Sequence, residues 1–276
     1  MTGRNIIPSN FISRFLLFSF LIIISTINII FSQYPLDSEL GDSSNDTIYT
    51  KKLLTLLLEW PPKHESYIDL KNETNYPINI NCLTTKGDPL YIGVEQYGLI
   101  HAPAESVQMI LEDFSNYQNL FPGFSDIHLV SNDQNKNIVF WKKKLPFILP
   151  DISYEITYLS LNLTPDCICF RLRLKEQKGS ILASDTIIVL EKLSTNETAY
   201  TEYDFFKADW GIAGYFLSFD DIWQKSVEDI YLSDIMVKFK AEHPDLPYQS
   251  LIKAAEECTK QYPTINKIKQ RRPVEF

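Results

Sequence analysis

Short hydrophobic runs alternate with turn-forming residues between residues 91 and 207, a pattern typical of an antiparallel sheet. It predicts seven strands, at residues 91–101, 127–130, 138–145, 153–163, 167–175, 181–193 and 199–207. Turn-forming residues such as Thr164-Pro165-Asp166 and Lys178-Gly179-Ser180 separate most of these strands. Because consecutive strands joined by tight turns pair in antiparallel fashion, we expect one antiparallel sheet. Residues 63–90 are loop-rich, with one candidate strand at residues 78–82.

Helical spacing of hydrophobic residues marks four other stretches, at residues 47–60, 104–114, 214–240 and 247–261. The third is the longest, and Pro244 follows it. The spacing of its hydrophobic residues places Trp223 on the face toward the sheet and Asp229 on the polar face. A strand, helices, six strands and a long helix, in that order, predict an α+β fold.

The first 32 residues have the layout of a secretory signal. Residues 15–31 carry no charge, and the only charges before them are Arg4 and Arg14. A spanning helix needs about 20 apolar residues, so this segment is short for one, and we expect export with cleavage. Ile30 fits the small-residue preference of a cleavage site poorly, so a retained membrane anchor at residues 15–31 is the alternative. Both outcomes place the folded domain outside the cytoplasm, whether periplasmic, secreted or membrane-anchored.

The prediction divides the chain into four parts. Residues 1–32 are the signal peptide or signal anchor, and residues 33–90 are an N-terminal linker with the short helix. Residues 91–240 are the main domain, and residues 241–276 are a C-terminal helical extension. The main domain is taken to start at residue 91 because the strand and turn periodicity begins only after Pro89, so residues 33–90 are expected to form a peripheral layer.

Composition and charge exclude several functions. The net charge of -9 at pH 7 gives no general attraction to nucleic acid, so no nucleic-acid partner is expected. Neither a G-x-x-x-x-G-K-[ST] loop nor a G-x-G-x-x-G turn occurs, which excludes those two routes to nucleotide binding, and we expect no cofactor.

The cysteines and histidines give no metal signal. Cys167 and Cys169 have no second cluster of ligands nearby in the sequence, and the four histidines are scattered, so no metal site is expected. With Cys82 and Cys258, an oxidising compartment would permit disulfides in three possible pairings, among which the sequence does not choose.

Residues 98–130, GLIHAPAESVQMILEDFSNYQNLFPGFSDIHLV, resemble the opening of the START and polyketide-cyclase superfamily, also called SRPBCC. The shared pattern is a strand, Ala-Pro-Ala, a helix ending in Asp-Phe, a Tyr, then Phe-Pro-Gly and a second strand. Residues 198–204, TAYTEYD, resemble the last strand of that superfamily, and residues 211–214 resemble the step into its long helix. The resemblance implies the helix-grip fold, a curved antiparallel sheet wrapped around a long C-terminal helix.

The resemblance also implies an apolar cavity between sheet and helix, and hence a START-like protein for lipid binding or lipid transport. The predicted strand at residues 167–175 is compatible, because Phe170, Leu172 and Leu174 alternate with basic residues. The candidate ligand-binding residues are Phe170, Leu172, Leu174, Tyr203, Trp210, Tyr215, Phe216, Phe219 and Trp223. A closed core made of such residues is the alternative.

The sequence offers little for catalysis. Many members of the superfamily carry an Arg-Asp pair after a proline, whereas Leu149-Pro150-Asp151 supplies only the aspartate. Glu155, Asp185, Glu202 and Asp204 lie on predicted strands, where a carboxylate forced into an apolar cavity has a raised pKa suited to acid-base work. Charged strand residues mostly face water, and no G-x-S-x-G motif occurs, so we assign no catalytic residue. A cyclase- or hydrolase-like enzyme and a non-ligand interaction domain are the alternative functions.

Two features concern how a cavity would be loaded. The segment from Asp209 to Phe216 is a candidate lid, because Gly211 and Gly214 permit backbone rearrangement, and a rigid turn is the alternative. The aromatic residues of this segment, together with the basic residues between 260 and 272, make a membrane surface a candidate partner besides the hydrophobic ligand.

Overall fold

The computed structural model describes residues 78–85, 88–133, 136–144, 151–175, 181–209, 218–262 and 272–274. All of these residues lie in one compact unit, residues 60–276. The expected signal segment at residues 1–32 and the expected short helix at residues 47–60 lie outside the described residues. Among the helices that are described, none is long and apolar enough to cross a membrane.

One sheet of nine strands is seen within these ranges. The strands are β1 Asn79–Thr85, β2 Asp88–Ile100, β3 Asp126–Asp133, β4 Lys136–Lys143, β5 Ile152–Thr164, β6 Cys167–Leu174, β7 Ile181–Ser194, β8 Glu197–Ala208 and β9 Arg272–Val274. Their order across the sheet is β3-β4-β5-β6-β7-β8-β2-β1-β9. All paired neighbours are antiparallel except β1 and β9, which are parallel. The seven predicted strands and the candidate strand before them are confirmed, and the short β9 has no counterpart in the prediction.

The helices within the described residues are α1 Ala104–Glu112, α2 Tyr117–Leu120, α3 Phe219–Glu242 and α4 Tyr248–Gln261, with a 3-10 turn at Phe114–Asn116. α3 begins at Phe219, later than the pattern predicts, because Ser218 is its N-cap. The Ser218 hydroxyl accepts a hydrogen bond from the Asp221 N–H at 3.1 Å, and the Asp221 carboxylate accepts one from the Ser218 N–H at 3.2 Å. This reciprocal capping fixes the first turn of α3.

The pairing register assigns the side chains of each strand to two faces. Tyr200 of β8, Ile188 of β7 and Phe170 of β6 share one face and pack with Trp223 and Tyr231 of α3 in one buried core. We call this the inner face of the sheet. Alternate residues on the same strands lie on the opposite, outer face.

The core extends beyond the predicted domain of residues 91–240 at both ends. Ile78 and Ile80 are fully buried, and β1 pairs with β2 along its length. The Tyr231 hydroxyl of α3 donates to the carbonyl of Ile78 at 2.8 Å, and the N–H of Ile80 donates to the hydroxyl of Tyr262 at 3.0 Å. Residues 78–85, residues 88–90 and α4 therefore belong to the folded domain, which extends beyond the expected boundaries on both sides.

A curved, unclosed antiparallel sheet with a long C-terminal helix on its inner face is the helix-grip arrangement. α3 packs against β2 and against α1, so the helix lies across the sheet and not beside it. The predicted α+β class and the predicted architecture are confirmed.

Candidate functional site

Exposure on the inner face changes along the strands. The side chains of Tyr158, Phe170 and Tyr200 are fully or almost fully buried. Toward the end where β8 ends and α3 begins, the inner-face side chains are only half-buried. We call the apolar ones the apolar rim, which consists of Tyr154 of β5, Leu172 and Leu174 of β6, and Phe206 of β8. The inner-face side chains of the apolar rim are therefore partly accessible to solvent.

Polar residues lie next to the apolar rim, deeper on the inner face. Along β8, Phe206 is followed inward by Asp204, Glu202 and Tyr200 at alternate positions. Directly opposite, the register pairs Asp204 with Thr186 of β7 and Glu202 with Gln96 of β2. With Asp234 of α3 these residues form what we call the polar cluster: Gln96, Thr186, Tyr200, Glu202, Asp204 and Asp234. Asp204 is half-buried and the other five are buried.

Tyr200 connects the carboxyls of the sheet and the helix. Its hydroxyl oxygen lies 2.5 Å from Oε2 of Glu202 and 2.9 Å from Oδ1 of Asp234. A phenolic hydroxyl carries one hydrogen and can donate to one carboxyl at a time. Both contacts are satisfied when Tyr200 donates to the Glu202 carboxylate and a protonated Asp234 donates to the Tyr200 oxygen.

The environment of the cluster favours that protonated form. Burial raises the pKa of Asp234 well above its usual range, and the nearby charge of Glu202 raises it further. Burial also raises the pKa of Glu202, although hydrogen bonds from Asp234 and Tyr200 act in the opposite direction. Because two adjacent buried carboxyls do not both ionise readily, Asp234 holds the proton and Glu202 the charge.

Asp204 stands between the apolar rim and the buried pair. Burial raises its pKa to about 7, and the charge of Glu202 contributes in the same direction. The hydroxyl of Thr186 donates to Oδ1 of Asp204 at 2.5 Å, which partly offsets the rise. A carboxyl with such a pKa exchanges its proton near neutral pH, the property required of a general acid or base.

The amide of Gln96 is the unusual member of the polar cluster. It is 0% exposed, yet neither Oε1 nor Nε2 has a hydrogen-bond partner in the described part of the chain. Oδ2 of Asp234 is unpartnered on the same basis. Leaving a buried polar group unpaired costs about 1–3 kcal/mol. Both side chains therefore retain hydrogen-bonding capacity that the described residues do not use.

The predicted ligand-binding residues divide into three groups. Phe170, Leu172, Leu174 and Trp223 lie on the inner side, with Phe170 and Trp223 fully buried in the core and Leu172 and Leu174 in the apolar rim. Tyr203 does not join them.

Tyr203 lies on the outer face, where its hydroxyl donates to Oε1 of Glu95 on β2 at 2.8 Å. Strand alternation separates it from the inner residues Glu202 and Asp204, so its assignment to the cavity is corrected. Trp210, Tyr215 and Phe216 lie outside the described residues, as does most of the candidate lid. Phe219 is the first residue of α3.

The strand carboxylates named from the sequence separate by face. Glu202 and Asp204 lie on the inner face, in the polar cluster. Glu155 and Asp185 lie on the outer face, where Glu155 pairs with Lys175 at 2.7 Å and Asp185 pairs with Arg171 through two contacts of 3.1 and 3.2 Å. These two are structural ion-pair partners and not inner-face acids.

Two other acidic residues make contacts that the sequence pattern does not reveal. Asp151 forms an ion pair of 3.0 Å with Lys142. Asp229, expected on the polar side of the long helix, is only 10% exposed and is ion-paired with Lys143 of β4 and, at 2.9 Å, with Lys225. Its placement on a solvent face is therefore wrong, because β4 supplies a partner that the helical pattern does not show.

Sequence reasoning missed Gln96, Thr186, Tyr200 and Asp234 as site residues. Strand alternation contains a usable signal for Gln96, since Ile92 and Val94 precede it at alternate positions and both are buried. Asp234 follows Trp223 and Val227 on the buried side of α3, but an acidic residue there is normally read as exposed. Nothing in the sequence shows that β8 and α3 bring their carboxyls together.

Among the described cysteines, Cys169 and Cys258 have free thiols. Within the described ranges no group of three or more His, Cys, Asp or Glu side chains could hold a metal ion.

The order and pairing of the elements give the helix-grip fold that the sequence resemblance implies. No protein-family model matches the chain, and no curated protein matches it.

Several solved structures are similar to this chain. The Zhui aromatase/cyclase from Streptomyces sp. R1128 is 19% identical, with a TM-score of 0.44 over 55% of this chain and 94% of that chain. The STAR-related lipid transfer protein fragment from Xanthomonas axonopodis is 12% identical, with a TM-score of 0.41 over 67% of this chain and 94% of that chain. The human StarD13 lipid transfer and protein localization domain is 11% identical, with a TM-score of 0.47 over 61% of this chain and 85% of that chain. At such low identities the ligand of this chain has to be inferred from its own residues.

Proposed function

We propose that this chain binds and carries a lipid or another hydrophobic small molecule between the inner face of the sheet and α3. The observation that carries the proposal is the half-buried apolar rim at one end of the inner face, which leads directly to a buried polar cluster. An apolar wall with a few convergent polar groups is the usual composition of a small-molecule site.

The apolar rim supplies the binding free energy. A ligand that covers Leu172, Leu174 and Phe206 removes apolar surface from water, at about 25 cal/mol for each Å² that is covered. The polar cluster supplies orientation, because the unpartnered amide of Gln96 favours one end of the ligand over the other. An amphipathic molecule entering polar end first satisfies both parts.

The compartment is also part of the proposal. The uncharged segment at residues 15–31 after Arg4 and Arg14 supports export, with or without cleavage, so we propose that the domain works outside the cytoplasm. Loading from a membrane surface is the proposed route, with the Asp209–Phe216 segment as the lid. Fractionation of cells expressing the full chain, with N-terminal sequencing of the product, tests export. A cytosolic product with an intact N-terminus contradicts it.

Binding itself is tested with a matched pair of variants on β8. Phe206 lies on the inner face in the apolar rim, and its neighbour Phe205 is also half-buried but lies on the outer face. Native mass spectrometry and lipid extraction of the full chain should reveal a co-purifying hydrophobic molecule. Phe206→Asp should reduce its occupancy about tenfold or more, because a charge would lie against the apolar part of the ligand, and Phe205→Asp should not. Equal occupancy in the two variants would exclude the inner face as the site.

A second candidate function is acid-base catalysis on the bound molecule. The observation that favours it is Asp204, whose pKa is raised to about 7 at the junction of the apolar rim and the polar cluster. The two functions are separated by incubating the full chain with the extracted ligand and measuring the ligand mass over time. A mass change that is lost in Asp204→Asn supports the enzyme, and an unchanged ligand supports the carrier.

A further inference from the structure

The amide of Gln96 presents a hydrogen-bond donor and an acceptor side by side, both without a partner in the described residues. Its carbonyl accepts and its amino group donates. A carboxylate or phosphate only accepts, and an ammonium group only donates, so each would leave one side of the amide unpaired. A hydroxyl both donates and accepts, and can satisfy both sides.

The charges around Gln96 disfavour an anionic headgroup. The polar cluster contains the three carboxyls of Glu202, Asp204 and Asp234. Among the described residues, the charges that act on these carboxyls are other carboxylates: each other and Asp185. A buried anionic headgroup would thus meet negative charge without a balancing cation, which is strongly unfavourable.

From this geometry we infer that Gln96 and the neighbouring polar cluster form a subsite for the neutral hydroxyl end of an otherwise apolar ligand, and that the site rejects anionic headgroups. The inference rests on the proposed function and specifies the chemical class of its ligand. The hydroxyl lies at the deep end, against Gln96 and Glu202, and the apolar body of the ligand extends toward Leu172 and Phe206. An alcohol-type lipid fits this arrangement, whereas a fatty acid or a phospholipid headgroup does not.

The test compares four probes with the same hydrocarbon chain: dodecane, 1-dodecanol, dodecanoate and dodecylammonium. Their dissociation constants for the full chain are measured at about pH 8, where the last two are charged. Competition with a hydrophobic fluorescent dye reports binding. We expect 1-dodecanol to bind at least tenfold more tightly than dodecane and dodecanoate, and no less tightly than dodecylammonium. A preference for either charged probe, or equal affinity for all four, would overturn the hydroxyl subsite while leaving the proposed binding function intact.

A variant then assigns the preference to Gln96. Gln96→Met keeps the length of the side chain and removes both hydrogen-bonding atoms, so 1-dodecanol should fall to the affinity of dodecane while dodecane itself is unaffected. Gln108→Leu, which removes an exposed amide of α1 bonded to Glu112, is the control and should keep the preference. An unchanged preference in Gln96→Met would refute the assignment.

If Gln96→Met does not fold, the four-probe comparison on the wild-type chain decides alone. Failure of every probe to bind, dodecane included, would overturn the proposed function and this inference together.

Discussion

The hydroxyl of Tyr200 lies 2.9 Å from Oδ1 of Asp234, and this contact joins strand β8 to helix α3 across the inner face of the sheet. Tyr200 is 0% exposed and Asp234 is 3% exposed, so the hydrogen bond is shielded from water. The same hydroxyl contacts Glu202 at 2.5 Å, within the range of charge-assisted hydrogen bonds. The position of α3 therefore depends on the polar cluster as well as on apolar packing.

Removing this hydroxyl should destabilise the domain. Tyr200→Phe keeps the ring but leaves the carboxyls of Glu202 and Asp234 without their shared partner, at an expected cost of about 1–3 kcal/mol. The free energy of unfolding in urea measures the effect. Tyr248→Phe is the control, because the Tyr248 ring stays beneath Nζ of Lys240 at 4.9 Å, and we expect a change within about 0.5 kcal/mol. Equal stability of the two variants would show that the Tyr200 bridge contributes nothing.

Stability should fall as pH rises from about 4 to 7. The pKa of Asp204 is about 7 in the folded chain and near 3.8 when unperturbed, so the folded state binds more protons between these values. The stability contributed by protonated Asp204 is fully present below the pKa of the unfolded state. It is lost as pH rises through the pKa of the folded state. Burial raises the pKa of Glu202 and Asp234 as well, so they act in the same direction. Urea unfolding measured across this pH range should show the decline.

Asp204→Asn isolates the contribution of Asp204 to this decline. The amide carbonyl still accepts the hydrogen bond of Thr186 but does not ionise, so the variant should be more stable than the wild type at about pH 8. The full difference between the folded and unfolded pKa of Asp204 corresponds to about 4 kcal/mol in the free energy of unfolding. Solvent access to this half-buried carboxyl reduces the expected gain in stability to about 1–3 kcal/mol. The gain should vanish near pH 4. Asp245→Asn, at an exposed position between α3 and α4, is the control, with an expected change within about 0.5 kcal/mol at both pH values. A variant less stable than the wild type at pH 8 would contradict the assigned protonation.

Most of the fold could be predicted because strands and turns alternate clearly in this sequence. In β6 the two faces have different chemistry, with Phe170 and Leu172 on one and Arg171 and Arg173 on the other, so hydrophobicity alone identifies the inner face. Helix α3 shows the same contrast around Trp223, which is fully buried as predicted. β9, with three residues, is too short for any periodic pattern to reveal.

The candidate site was harder to predict because the two faces of β8 do not differ in hydrophobicity. Its inner row contains the charged residues Glu202 and Asp204 beside Tyr200, whereas the aromatic residues Tyr203 and Phe205 lie in its outer row. When hydrophobic residues are assumed to be buried, Tyr203 is therefore assigned to the inner face, and the carboxyls near Gln96 are overlooked. Residues that carry a polar site inside a core break the pattern on which sequence reasoning depends. Contacts between distant segments, such as that of Asp234 with Tyr200, have no local signature.

Asp229 should prove structural, contrary to the expectation from the helical pattern. It is 10% exposed and ion-paired with Lys143 of β4 and with Lys225, so Asp229→Ala leaves the 24% exposed Lys143 without its partner. We expect a loss of about 1–3 kcal/mol in the free energy of unfolding. Lys225 is 69% exposed, and Lys225→Ala, as the control, should change stability by no more than about 0.5 kcal/mol. If Asp229→Ala is as mild as Lys225→Ala, the contact with β4 does not hold α3 in place.

Strand β1 should contribute to the core and not to a peripheral layer. Ile80 is fully buried on the inner face opposite Gln96, and the N–H of Ile80 donates to Tyr262, so the strand connects the sheet to the C-terminal part of the chain. Ile80→Ala in the full chain should cost about 2–5 kcal/mol, because it leaves a cavity where the packing is tight. Val130→Ala on β3, where the side chain is 47% exposed, is the control and should cost no more than about 0.5 kcal/mol. Urea unfolding monitored by circular dichroism measures both. A loss below 0.5 kcal/mol for Ile80→Ala would support the interpretation of residues 33–90 as a peripheral layer. A strand that belongs to the core loses stability when one of its fully buried side chains is shortened.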